Sequence, residues 1–130
     1  MTDKAEHPER RKPVSVYGVG TEPDPRFSLA NERTALAWLR TGLALVAGGI
    51  ALTTLGNISD AGAFLDVIAA LACVAGGSLA VAALSGWMRA ERALRQHKPL
   101  PAPRVLPVLV IGVAAVALSL AVYAVIQAIG

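Results

Sequence analysis

The sequence predicts an all-α membrane protein with three transmembrane helices. The chain has 130 residues and is 55% hydrophobic but only 16% charged, whereas soluble domains carry about 25% charged residues. Its apolar residues form three long runs, and each is long enough for the about 20 helical residues that cross a bilayer core. The alternative, a soluble helical bundle, is disfavoured because the chain has too few polar residues to cover three such runs.

A polar stretch at the start of the chain is expected to be a flexible cytoplasmic tail, residues 1–24. It is rich in Pro, Gly and charge, and it has little apolar surface to bury. It is too long and too polar to begin a cleavable signal peptide, so the first membrane helix is expected to be an uncleaved signal anchor. The three-helix domain then covers residues 25–130, and Asp24 with Pro25 can supply an N-cap and a first-turn proline.

The three membrane helices are expected at about residues 34–56, 65–88 and 105–129. Helices in lipid associate through small residues spaced four apart, and the second helix carries two such stripes. The stripes are Ala69, Cys73 and Gly77, and Ala72, Gly76 and Ala80. They predict a neighbour on each side and therefore self-association. The second helix is also expected to continue past Trp87 into the cytoplasm until prolines break it.

The distribution of basic residues predicts the orientation. All 12 Lys and Arg residues precede or open the first helix, or lie between the second and third helices. The only charged residues in the connection between the first two helices are two acids, Asp60 and Asp66. The positive-inside rule therefore places the N-terminus in the cytoplasm and the C-terminus outside. The net charge of +3 is explained by this asymmetry, so a nucleic-acid partner is not expected.

No cofactor, metal site or enzyme is indicated by the sequence. The single cysteine, Cys73, lies within a membrane helix, and His7 and His97 are far apart. No paired carboxylates or nucleophile–base pair appears, because Asp60 and Asp66 face the side opposite to Glu32.

Small and basic residues form one stripe along the first helix. Its members are Arg33, Ala37, Arg40, Ala44, Ala47 and Ala51. One interpretation is that the arginines reach the lipid headgroups while the alanines pack against a partner helix. The other is a basic vestibule that collects anions above a narrow constriction. Glu32 lies off this stripe, and it either pairs with Arg89 or Arg92 or is exposed.

The segment Phe27–Thr41 carries a recognisable pattern, with Ala-Asn-Glu-Arg-Thr at residues 30–34 and Trp-Leu-Arg-Thr at residues 38–41. It resembles the signature of the bacterial YidH-like family, a domain of unknown function. It is also similar to the membrane domain of the eukaryotic vacuolar transporter chaperone complex, which makes and translocates polyphosphate. The resemblance covers about residues 24–129.

This resemblance implies a homo-oligomeric ring, with a pentamer favoured, around a pore that has a basic cytoplasmic mouth. The implied pore-mouth positions are Arg26, Arg33, Arg89 and Arg104, and Arg40 adds a charge where some eukaryotic members have none. In 130 residues we expect no polymerase and no phosphate-sensing domain, so polyphosphate synthesis is not implied.

We expect a multi-pass protein of the bacterial inner membrane that is surrounded by lipids. Two functions are compatible with this expectation. The first is an oligomeric conduit for anions such as phosphate or polyphosphate, which the arginines bind. The second is a non-transporting accessory or scaffold subunit, in which the same arginines bind lipid headgroups or a partner.

Overall fold

A hairpin of two long helices dominates the structure, with a third long helix beside it and a short helix at one end. The computed structural model describes residues 10–130. Its elements are α1 (Val14–Tyr17), α2 (Pro25–Gly56), α3 (Gly62–Arg95) and α4 (Val105–Ile129). By length and composition, α2, α3 and α4 can each cross a membrane. The predicted all-α fold with three candidate membrane helices is therefore confirmed.

The start of α2 follows the predicted capping pattern. The Asp24 side chain accepts a hydrogen bond of 2.9 Å from the backbone N–H of Arg26. Pro25 occupies the first helical position, where its missing N–H costs nothing. Helix α2 therefore begins well before its apolar run, and it carries Arg26 and Arg33 on the same helix as Arg40.

Glycines bring α2 and α3 into close contact. Gly42, Gly49 and Gly56 are the buried residues of α2, and they are spaced seven apart. A Cβ atom on Gly42 would lie only 2.8 Å from the carbonyl oxygen of Gly76. A Cβ atom on Gly49 would lie 2.9 Å from the carbonyl oxygen of Ala69. The absence of side chains at these positions allows the two backbones to approach each other.

Both small-residue stripes of α3 contribute to the contact with α2. Gly76 is buried against Gly42 and Val46. Ala69 and Cys73 of the other stripe lie against Gly49. The stripes therefore pack within one chain rather than on two separate neighbours over most of their length. Gly77 is the exception, because a side chain there would meet open space, and it remains available to lipid or to a second copy.

Helix α4 lies beside the hairpin with almost no packing of its own. None of its residues is buried. Its clearest contact is the stacking of Tyr123 on Phe64 of α3, with ring centroids 4.7 Å apart. An uncharged, mostly apolar helix with so little packing is suited to lipid or to another copy of the chain.

The N-terminal segment differs from the predicted flexible tail over residues 10–24, while residues 1–9 lie outside the described part of the chain. Val16 of α1 is only 1% exposed. The backbone N–H of Thr21 donates to the carbonyl of Arg95 at 2.9 Å. Gly20 allows this approach because its φ is +64° and a Cβ atom there would clash with Arg95. These contacts hold the segment against the end of α3.

Candidate functional site

The five predicted site arginines lie on two different faces of the molecule. These residues, all of them exposed, are Arg26, Arg33, Arg40, Arg89 and Arg104. They lie toward the end of the molecule at which α2 and α4 begin and α3 ends, which we call the basic end. Within one chain they do not form a single cluster.

The first face is the basic stripe of α2, composed of Arg33, Ala37, Arg40, Ala44, Ala47 and Ala51. All six residues are exposed. Arg26 precedes Arg33 by seven residues and extends the same side of the helix. Helix α3 packs instead against the glycine side of α2, so the predicted stripe is present but uncovered.

The second face is a pocket of about 570 Å³ between α2, α3 and the start of α4. Arg89 and Arg104 line it together with Trp38 and Trp87. Trp38 is rotated by about 140° from Arg33 around α2. The pocket is therefore separated from the basic stripe by nearly half a turn of the helix.

A buried carboxylate joins α2 to α3 next to this pocket. Glu91 is only 4% exposed. It accepts hydrogen bonds from Ser28 Oγ at 2.7 Å and from Asn31 Nδ2 at 3.2 Å. The Asn31 amide also donates to the carbonyl of Trp87 at 3.1 Å. Sequence reasoning missed this network, although Asn31 stands in the recognisable motif and Glu91 is the one acid in the basic segment after Trp87.

Glu32, the predicted ion-pair candidate, is exposed. Among residues 10–130 it has no salt bridge within 4.0 Å. It makes none of the hydrogen bonds of the network that its neighbour Asn31 joins.

A second buried charge, Arg95, fixes the N-terminal segment. Arg95 is 5% exposed, and it donates to the carbonyls of Val19 at 3.0 Å and Tyr17 at 3.1 Å. The Tyr17 ring lies between the guanidinium groups of Arg11 and Arg95, and its centroid is 6.4 Å from that of Trp87. The segment therefore contacts Trp87, a residue of the pocket wall.

Metal binding finds no support in the part of the chain that the structure describes. No group of three or more His, Cys, Asp or Glu residues is arranged there to hold an ion. The basic end holds exposed guanidinium groups and two indole rings, which suit an oxygen anion or a lipid headgroup, while the Glu91 carboxylate there is buried and bonded to Ser28 and Asn31.

The helical hairpin and its apolar third helix define a multi-pass membrane protein. Residues 26–93 match a domain of unknown function, DUF202. The chain is 37% identical to the inner membrane protein YidH of Escherichia coli K12, over 85% of this chain and 99% of that protein. It is 44% identical to the uncharacterized protein Rv2272 of Mycobacterium tuberculosis H37Rv, over 77% of this chain and 86% of that protein. No solved structure matches it.

The chain therefore belongs to the DUF202 family, and the predicted resemblance to YidH-like proteins is confirmed. The predicted multi-pass location in the bacterial inner membrane is confirmed as well. The matched segment contains α2 from Arg26 onward, the Glu91 network and Arg89, but not Arg104 or α4. The similarity to the vacuolar transporter chaperone complex stays a prediction.

Proposed function

We propose that this protein forms a homo-oligomer in which the basic stripes of neighbouring α2 helices line a passage for phosphate-type anions. The N-terminus and the basic end lie in the cytoplasm, as the positive-inside rule requires. The arginines of the stripe form the mouth of the passage, and its alanines form the narrow part. A pentamer is the favoured assembly because of the family resemblance.

One observation carries this proposal: the basic stripe is exposed, yet it is unlike a surface that faces lipid. Large apolar side chains occupy the neighbouring exposed side of α2, at Leu36, Leu43 and Ile50. These are suited to acyl chains. The stripe has two arginines and only small side chains, and a charge within a membrane segment is costly unless it faces protein or water.

The chemistry of the stripe suits phosphate-type anions. Arginine remains charged, and its planar fork can bind two oxygens of a phosphate group at once. Small residues beyond the arginines let helices approach closely and keep a passage narrow. Each copy contributes a few charges, so an assembly concentrates positive potential at its mouth.

A second candidate is a non-transporting scaffold, and α4 favours it. This helix has no buried residue in one chain, as a helix that docks onto another membrane protein would have none before docking. In that case the arginines bind headgroups or a partner and no anion crosses the membrane.

The decisive experiment measures anion binding and anion flux separately in proteoliposomes. We expect Arg33→Ala and Arg40→Ala to reduce binding and flux of phosphate or short polyphosphate, and Arg33→Lys to restore part of the loss. Binding should weaken as salt rises, because charges at a wet mouth are screened. Arg92→Ala removes the same charge from the basic end but outside the stripe, so it serves as the control.

Three outcomes separate the two candidates. Anion binding without anion flux in the unaltered protein would exclude the passage and support the scaffold. Unchanged binding and flux in the variants would make the arginines orientation signals only. A species that is purely monomeric by native mass spectrometry in mild detergent would exclude a passage between copies.

A further inference from the structure

The pocket that Arg89 and Arg104 line has a second feature, namely that it contains both tryptophans of the chain. We propose that this pocket binds one anionic phospholipid. Arg89 and Arg104 hold the lipid phosphate, and the apolar wall holds the glycerol and the first part of an acyl chain. This site is separate from the basic stripe, so it goes beyond the proposed conduit and stands without it.

The polar side of the pocket is complementary to a phosphate diester. Arg89 is near the end of α3 and Arg104 immediately precedes α4, and both exposed residues line the pocket. Among residues 10–130 no carboxylate lines the pocket, and the nearby Glu91 is buried and bonded to Ser28 and Asn31. The described lining therefore has two positive charges and no acid.

The apolar side of the pocket continues into the membrane region. Its wall includes Leu79, Ala83 and Val105. Helix α4, which has no buried residue, leaves the neighbouring side open to acyl chains. The volume of about 570 Å³ is typical of a ligand pocket. It can hold a headgroup region, while the remaining acyl chains extend along exposed apolar helix.

The position of the pocket at the membrane interface favours a lipid over a soluble anion as its ligand. Arg104 lies where the charged connection ends and the uncharged, mostly apolar α4 begins, which is where a headgroup lies. Tryptophan prefers this same interface because its ring is apolar and its N–H is polar. A soluble phosphate would use the arginines but neither the indole rings nor the apolar wall.

The two tryptophans also provide the measurement. The full chain is reconstituted in phosphatidylcholine vesicles that contain increasing fractions of phosphatidylglycerol brominated on its acyl chains. Bromine quenches indole fluorescence on contact, so quenching reports occupancy beside Trp38 and Trp87. We expect brominated phosphatidylglycerol to quench at a lower mole fraction than brominated phosphatidylcholine does.

Removal of the arginines should abolish this preference. We expect Arg89→Gln and Arg104→Gln each to lower the relative affinity for phosphatidylglycerol about fivefold, which corresponds to about 1 kcal/mol for a basic residue at an anionic surface. The Arg89→Lys and Arg104→Lys variants keep the charge and should keep most of the preference. Arg33→Gln is the matched control, because it removes one charge from the opposite side of α2.

Equal quenching by the two lipids, or an unchanged preference in the glutamine variants, would overturn the lipid site. Recovery of fluorescence on addition of inorganic phosphate would show that the pocket takes a free anion instead. A preference lost in Arg33→Gln as well would show a diffuse surface effect. The two proposals are tested independently, because Arg33→Ala is expected to lower anion flux while leaving the lipid preference of the pocket intact.

Discussion

Two buried charges one helical turn apart on α3 connect different parts of the molecule. Glu91 bonds to Ser28 and Asn31 of α2, and Arg95 bonds to the carbonyls of Tyr17 and Val19 in the N-terminal segment. A buried charge is costly unless hydrogen bonds or an opposite charge compensate it, and Arg95 Nη1 lies 3.6 Å from a carboxylate oxygen of Glu22. The basic end is therefore held by polar contacts, whereas the rest of the hairpin is held by close packing.

Removal of the Glu91 carboxylate should destabilise the hairpin. We expect Glu91→Ala to cost about 1–3 kcal/mol, because it leaves the hydroxyl of Ser28 and the amide of Asn31 without their acceptor. Glu91→Gln keeps one acceptor oxygen and should cost less. Thermal unfolding in detergent measures the difference.

The control for this prediction is Glu32→Ala, since Glu32 is exposed and has no ion pair with the described residues. A surface change of this kind usually lies within about 0.5 kcal/mol. Equal losses in Glu91→Ala and Glu32→Ala would contradict the role of the buried network.

At the scale of the helices, the ends at Gly56 and Ile129 and the start at Val105 could be predicted from the sequence because charge and hydropathy change abruptly there. The face by which α2 meets α3 could not. The alanine stripe and the glycines at positions 42, 49 and 56 are both small-residue patterns, and nothing in one sequence says which is covered within the chain. The structure assigns the glycines to α3 and leaves the alanines exposed.

Gly48 and Gly49 provide a test of that assignment. A side chain on Gly49 would meet Ala69 and Cys73 of α3, whereas one on Gly48 meets nothing within 4 Å. We expect Gly49→Leu to separate the helices and lower the unfolding temperature, and Gly48→Leu to leave the hairpin intact. Overpacking of this kind typically costs about 1–3 kcal/mol.

A cysteine pair placed across the α2–α3 contact would report the separation directly through its cross-linking yield. If Gly48→Leu and Gly49→Leu lower that yield and the unfolding temperature equally, the observed α2–α3 face is not the one the protein uses.

At the scale of the whole molecule, the number of membrane helices was predictable and the fold of the N-terminal segment was not. Residues 10–24 look like a tail because few apolar side chains hold them, chiefly Val16 and Tyr17, and because their bonds to Arg95 use backbone carbonyls, which leave no pattern in a sequence. The segment has few apolar side chains to bury, and hydrogen bonds from the buried guanidinium of Arg95 hold it in place instead. The family match likewise identifies relatives without naming an activity.

The orientation of the whole molecule remains a prediction with a direct test. A reporter fused after Gly130 should respond as periplasmic, because every Lys and Arg lies either before Thr41 or between positions 89 and 104, and the positive-inside rule places both of these parts of the chain in the cytoplasm. Loss of the basic stripe through Arg33→Ala and Arg40→Ala should not invert it, since ten basic residues remain of the 12. A cytoplasmic response of the fused reporter would overturn the orientation and would place the basic end outside.

The seven-residue spacing of the buried glycines on α2 has a mechanical consequence. A repeat of seven is slightly shorter than two helical turns, and it is the period at which two helices coil around each other in a left-handed sense. The seam at Gly42, Gly49 and Gly56 runs to the far end of α2, so the hairpin should tilt as one rigid rod. In an assembly of such rods, a passage between the copies that widened at one membrane surface would narrow at the other.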